Sequence, residues 1–210
     1  MNLANTYQQR PEDGNPRAES PLFFARRNEK TSNGAGQVTL REKPLLGHLM
    51  LRGDASNPAF ANATQQTLGL ALPAPLSVVY QGETSLQWLA PDEWLLIVPS
   101  GEEFASEQRL RAAMPEGLHY SIVNVSGGQT LVELSGSKAR QVLMKSTVYD
   151  VHPRNFPIGK AVGSTFAKSQ LLIRRSGEEA WELIIRRSFA DYFWAWLNDA
   201  GSEYSLQTIN

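Results

Sequence analysis

The chain of 210 residues contains no cysteine. That single absence excludes disulfides, thiolate nucleophiles and cysteine-ligated zinc. Histidine is scarce too. The three present, His48, His119 and His152, have no neighbouring carboxylate or histidine at metal-site spacing. No apolar run approaches the roughly 20 residues that span a bilayer. Neither sign of charge dominates, since 20 Lys and Arg face 21 Asp and Glu. Nucleic-acid binding needs a basic surface to release counterions, so neither nucleic acid nor membrane is an expected partner. The polar opening, residues 1–17, lacks the apolar segment of a secretory signal, and a cytoplasmic location is expected. Reaction motifs are missing as well. Ser135-Gly-Ser137 is no nucleophile elbow, and Gly127-Gly128 has neither the glycine fingerprint nor the lysine of a phosphate loop; it reads as a hairpin turn.

What is present is a set of well-specified elements. Residues 1–36 form a polar arm in which Ser20-Pro-Leu-Phe-Phe24 alone carries apolar bulk. Composition favours disorder over 1–18, while the apolar anchor suggests docking to a partner. Val38–Glu42 alternates like an edge strand, and Gly47–Gly53 is a second strand. Pro58 behind Ser56-Asn57 opens a helix that Gly69 closes. Leu72–Pro75 is a rigid connector. Trp88-Leu-Ala-Pro-Asp-Glu-Trp-Leu-Leu-Ile-Val98 then reads as a hairpin, Leu86–Ala90 and Trp94–Val98, whose second strand is buried on both faces. Ser100 and Glu103 suggest a capping box for a helix reaching Met114.

The second half repeats this order. Strands at Ile122–Val125 and Gln129–Leu134 precede a helix near Ser137–Ser146, and Val151–Gly159 is an irregular loop. Strands near Ser164–Arg175 and Ala180–Arg186 precede a last helix, capped by Ser188 and Asp191. Trp94-Leu-Leu-Ile-Val98 aligns with Trp181-Glu-Leu-Ile-Ile185. The expected fold is therefore α+β, built from duplicated ferredoxin-like (split βαβ) units behind an extended N-terminal arm. The expected divisions are 1–36 for the arm, 37–117 for the first repeat and 118–210 for the second, packed as one globular unit.

Candidate chemistry is thin. His48 reads as a core histidine, His119 as solvated, and His152 is the best functional candidate of the three. Asp92 and Glu93 read as turn and salt-bridge carboxylates. Arg174-Arg175 and Arg186-Arg187 are basic pairs suited to an anion or to salt bridges. The last helix packs Phe189, Tyr192, Phe193, Trp194, Trp196 and Leu197 into a wide apolar arc, with Trp194 well away from the main stripe. Either a core with a covering loop or a docking surface explains it. No catalytic, cofactor or metal residue is nominated. The candidate interface residues are Pro21, Leu22, Phe23, Trp88, Trp94, Arg187, Tyr192 and Trp194.

Several segments together carry a family resemblance: Val38–Gly53, Trp88–Val98, Asn124-Val-Ser-Gly-Gly-Gln-Thr130, Leu134-Ser-Gly136, Arg187-Ser-Phe-Ala190 and Ser20-Pro-Leu22. The chain resembles the sarcosine oxidase gamma subunit family from about residue 20 to residue 200. The resemblance implies a fold like the glycine-cleavage T protein, and a noncatalytic place in a heterotetramer with alpha, beta and delta subunits. It also implies oxidative demethylation of sarcosine to glycine with hydrogen peroxide and, with tetrahydrofolate, 5,10-methylenetetrahydrofolate. FAD, FMN, NAD, tetrahydrofolate and zinc would sit in the partner subunits, none of them on this chain. The rival expectation is a standalone folate-binding aminomethyltransferase-like protein, for which Asp54, Asp92 and Asp150 could be nominated.

Overall fold

A computed structural model describes residues 18–26 and 36–209. After a short helix α1 (Phe23–Arg26) and strand β1 (Thr39–Lys43), two similar runs follow. The first is β2 (Gly47–Gly53), α2 (Pro58–Leu68), β3 (Val78–Gln81), β4 (Thr84–Ala90), β5 (Glu93–Val98), α3 (Glu103–Ala113) and β6 (Tyr120–Asn124). The second is β7 (Gln129–Ser135), α4 (Ala139–Ser146), β8 (Ala161–Phe166), β9 (Ser169–Arg175), β10 (Ala180–Arg186), α5 (Ala190–Gly201) and β11 (Gln207–Ile209).

The runs build two sheets, ordered β3-β4-β5-β2-β6 and β11-β1-β7-β10-β9-β8. Removing β1 makes the orders equivalent, so the duplicated split-βαβ expectation is met. The first run has one more strand than the sequence reading gave it, and the second has two more, one of them β11. The stretch Ser164–Arg175 is not one strand but parts of a tight β8–β9 hairpin, turned at Ala167 with φ 53°. β3 is the counterpart strand after the proline connector.

Alternation decides which side of each sheet is covered. Leu49, Leu51, Trp94, Leu96 and Val98 pack with Phe60 of α2 and Leu110 of α3. Val132, Leu134, Ile173, Leu183 and Ile185 pack with Val142 and Leu143 of α4 and with Phe193 and Leu197 of α5. The opposite faces meet through Leu95, Ile97, Leu131 and Ile184. The result is helices, sheet, sheet, helices, with a seam between the sheets. β5 reads as a continuous apolar run because it is buried on both faces, and β10 does so apart from Glu182, which is buried with Arg174.

Local signals were read with mixed success. Asn57 Oδ1 accepts from the Ala59 N–H at 2.9 Å and Gly69, φ 68°, closes α2, as the Asn-Pro and Gly signals predict. Neither proposed cap on the other helices forms: Glu102 and Phe189 stand at the N-caps of α3 and α5 without a side-chain bond. Gly127-Gly128 is not a hairpin turn. β6 and β7 lie in different sheets, so the glycines carry the chain across the seam. The division at 117/118 does not separate the sheets either. β1 pairs with β7 in the second sheet, and β6 pairs with β2 in the first. Both strands follow backbone pairing, which the apolar pattern does not encode.

The arm docks on its own chain where it is described. Leu22 is fully buried in the core of the second sheet. Ser20 Oγ and Arg26 Nη1 each donate to Glu42 Oε2 at 2.9 Å, and Thr130 Oγ1 donates to Glu42 Oε1 at 2.8 Å. The expected disorder over 1–18 concerns residues that, apart from Ala18, lie outside the described ones.

Candidate functional site

The seam between the sheets has a polar end, an apolar middle and an open end. At the polar end, Arg174 of β9 and Glu182 of β10 are cross-strand neighbours. Arg174 Nε donates to Glu182 Oε2 at 2.7 Å, with both side chains almost fully buried. Arg174 Nη1 also donates to Ser85 Oγ of β4 at 2.9 Å. The Tyr80 hydroxyl donates to Glu182 Oε2 at 3.0 Å, and Lys43 Nζ lies 3.1 Å from Glu182 and from Glu133. The network thus ties β4 and β3 of one sheet to β1, β7, β9 and β10 of the other.

Its charges set the protonation of its members. Burial pushes the Glu182 carboxyl up, but Arg174 and Lys43 outweigh it and hold the group below the usual carboxylate range. Burial likewise works against charge on Lys43, and Glu182 and Glu133 more than offset it. Burial, with the Glu182 charge, raises the Tyr80 phenol against the pull of Arg174. His48 of β2 donates through Nδ1–H to the Leu46 carbonyl, 3.1 Å away. Burial lowers its pKa to about 4, the Leu46 bond opposes this, and Arg174 adds to it. This end is a clamp that fixes the two sheets to each other through Arg174 and Glu182.

Beyond the apolar middle the sheets diverge into a cleft of about 760 Å³ lined by residues that include Met50, Trp88, Leu89, Thr165, Leu172 and Arg186. A second hollow of about 480 Å³ shares Met50, Gln129 and Arg186 with it and continues to Arg187 and Ser188. Among the described residues, no carboxylate lines either one. The three carboxylates nominated for a transferase are exposed and engaged elsewhere. Asp54 accepts from the Ser56 N–H and hydroxyl, Asp92 pairs with Arg52 at 2.8 Å, and Asp150 accepts from Asn155 and from the His152 N–H. These donors lower the pKa of each. The residues lining the cleft therefore do not fit a reaction in which a carboxylate acts on a folate amine.

Among the described residues no group of three or more His, Cys, Asp or Glu is placed to hold a metal ion. No helix there is long and apolar enough to cross a membrane. His119 and His152 are exposed, and His152 Nδ1 accepts from the Arg154 N–H at 3.2 Å within its own loop.

The structure divides the eight candidate interface residues. Leu22, Trp94 and Trp194 are 0%, 1% and 3% exposed, inside the chain's own cores. That corrects their reading as outward anchors: the helix turn aims Trp194 at the second sheet, while Phe189 and Tyr192 stay exposed. Pro21, Phe23 and Trp88 are half-buried, and Arg187 and Tyr192 are exposed. Trp88 and Arg187, 99 positions apart by their numbers, come to the two connected hollows. Sequence reasoning missed Gln129, Lys43, Tyr80, Ser85 and Glu182. Their partners depend on strand register, and only the adjacent arginines carried a signal.

Residues 52–203 match the family described as sarcosine oxidase, gamma subunit family. The sarcosine oxidase subunit gamma of Corynebacterium sp. (strain P-1) is 36% identical over 178 residues, covering 83% of this chain and 85% of that protein. The Arthrobacter sp. subunit gamma is 36% identical over 180 residues, with the same two shares. A chain of the heterotetrameric sarcosine oxidase from Corynebacterium sp. U-96, solved with pyrrole 2-carboxylate, superposes with a TM-score of 0.80 and 29% identity, covering 92% of this chain and 99% of that one. Aminomethyltransferase T of the Bartonella henselae glycine cleavage system shares the fold, with a TM-score of 0.67 at 16% identity, over 90% of this chain and 58% of that one.

Proposed function

The chain belongs to the sarcosine oxidase gamma subunit family, and from that premise we propose that it is the noncatalytic structural subunit of a heterotetrameric sarcosine oxidase. The observation that carries this reading is the extent of the likeness, which runs through both sheets and both helix layers rather than through one motif. The aminomethyltransferase alternative is not favoured. Its support is the shared fold alone, and fold does not set function.

In this reading the complex oxidatively demethylates sarcosine to glycine and hydrogen peroxide, with 5,10-methylenetetrahydrofolate when tetrahydrofolate is supplied. FAD, FMN, NAD, tetrahydrofolate and zinc belong to the alpha, beta and delta partners, in the cytoplasm. This chain contributes a rigid body whose sheets are clamped by Arg174 and Glu182. Its contact surface includes Pro21, Phe23, Arg187 and Tyr192, together with exposed Phe24 and Phe189. Exposed aromatics at an arm and at a helix start suit protein contacts.

The test is to produce the chain with and without the candidate partner subunits, then measure solution mass and sarcosine turnover. Co-purification in a sarcosine-oxidising assembly is expected. A chain that stays monomeric when the partners are supplied overturns the reading. Tight stoichiometric binding of tetrahydrofolate by the isolated chain, followed by calorimetry, would favour the transferase instead.

A further inference from the structure

The open end of the seam holds unused recognition chemistry. Gln129 of β7 and Arg186 of β10 are directly paired in register. Gln170 of β9 and Thr165 of β8 are paired in the same way. All four line the cleft, so they make one polar row across four adjacent strands. At the usual strand spacing such a row spans roughly 15 Å, the length of about four extended residues. Behind it lies an apolar floor of Met50, Leu172 and Ile184, with Trp88 as a wall.

Three features of the row ask for particular partners. The Arg186 side chain has no ion pair or side-chain hydrogen bond among the described residues, although it is exposed beside the seam. Gln129 Oε1 is buried and without a hydrogen-bond partner among them. A guanidinium only donates and a carboxamide oxygen only accepts, so a ligand bringing a carboxylate and an N–H answers both. Among the described residues, the charged ones lining the two connected hollows are Arg186 and Arg187, both basic. The third feature is β8 itself. It has a strand neighbour on one side only, and Gly163 and Thr165 on it are exposed within the cleft. Its outer edge is already engaged at both ends, where the Ala161 N–H donates to the Leu76 carbonyl and the Thr165 carbonyl accepts from Thr147 Oγ1, so what β8 offers the cleft is the low surface at Gly163 and Thr165.

We infer that this cleft is a docking groove for an extended, acidic segment of another subunit, whose carboxylate pairs with Arg186, whose backbone N–H meets Gln129, and whose apolar side chain rests against Trp88 and Met50. The inference rests on the subunit reading above and assigns that reading one surface. A small amino acid would satisfy the two polar groups but leave most of the two hollows empty. A short peptide laid along the row fills both.

The experiment uses the assembled complex. Thr165 is replaced by the photo-crosslinking residue p-benzoylphenylalanine, and Arg186→Glu and Arg186→Lys are made separately. Irradiation is expected to join position 165 to an Asp- or Glu-containing segment of a partner. Arg186→Glu should weaken association about tenfold or more at low salt, with the difference shrinking as salt is raised, and Arg186→Lys should retain most of it. Unchanged affinity of Arg186→Glu in a complex that forms, or crosslinks confined to this chain, overturns the inference and leaves the subunit reading standing. Loss of the crosslink on adding tetrahydrofolate would assign the groove to a small acid and overturn it too. Failure of the unmodified chain to co-purify with any partner overturns both readings.

Discussion

The seam clamp gives the sharpest stability prediction. Arg174→Met keeps the length of the side chain but leaves the Glu182 carboxylate in a site where it is 5% exposed. Removing one partner of a buried pair leaves an uncompensated charge and destabilises by about 3–5 kcal/mol. Lys43 at 3.1 Å and the Tyr80 hydroxyl at 3.0 Å remain, so the lower end of that range, about 3 kcal/mol, is expected. For a chain of this size that corresponds to a fall of roughly 6–12 °C in Tm. The pH dependence has a definite sign. The Glu182 carboxyl is held below its ordinary range in the folded state, so its contribution is present above the unfolded value and is lost as pH falls through the folded one. In Arg174→Met the carboxyl can protonate, so the deficit is largest at neutral pH and narrows below about pH 4. The assay is thermal and urea unfolding of the wild type, Arg174→Met, Glu182→Leu and the double variant. A double-mutant coupling of at least about 2 kcal/mol is expected. A single variant within about 1 kcal/mol of wild type, or an additive double variant, would refute the clamp.

The other predictions concern the same chain at different depths. His48 is 1% exposed and is held neutral down to about pH 4, whereas an unfolded histidine protonates near 6.5. Its folded value is depressed, so the unfolded chain binds the extra proton between those limits and stability drops by about 3 kcal/mol as pH falls through them. His48→Leu should flatten that slope in urea titrations at stepped pH, and an unchanged slope would place the effect elsewhere. Glu42 accepts from Ser20, Arg26 and Thr130. Glu42→Ala is expected to destabilise by about 2–4 kcal/mol and to release the arm. Limited proteolysis should then cut near residues 18–26 faster than in wild type, and equal cutting rates would show the arm to be held by Leu22 alone.

Legibility in the sequence followed locality. The Asn57-Pro58 start and Gly69 stop of α2 depend on neighbours a few residues away, and both were readable. The Trp88–Val98 hairpin and its echo at Trp181–Ile185 were readable because doubly buried strands lose polar alternation. The turn at Ala167 was missed because a non-glycine residue takes positive φ there. Trp194 was read as lying away from the buried stripe, but α5 is buried over a wide arc that includes it, and a 3-10 turn at Arg187–Phe189 shifts the helical phase at its start. Of the cleft, Trp88 and Arg187 were in view as separate residues, but Gln129 carried no local mark at all.

The sequence by itself determined the element types, the duplication, the family, and the poverty of reactive side chains, since composition and short-range periodicity carry all of these. Tertiary structure alone decided that β1 and β6 exchange places relative to their repeats, that Arg174 meets Ser85 across the seam, and that Arg186, without an ion pair among the described residues, stands beside Gln129. The reason is physical. Burial pattern is written residue by residue, whereas strand register and sheet stacking are settled by contacts between segments scores of residues apart, and the partners of each charge follow from them.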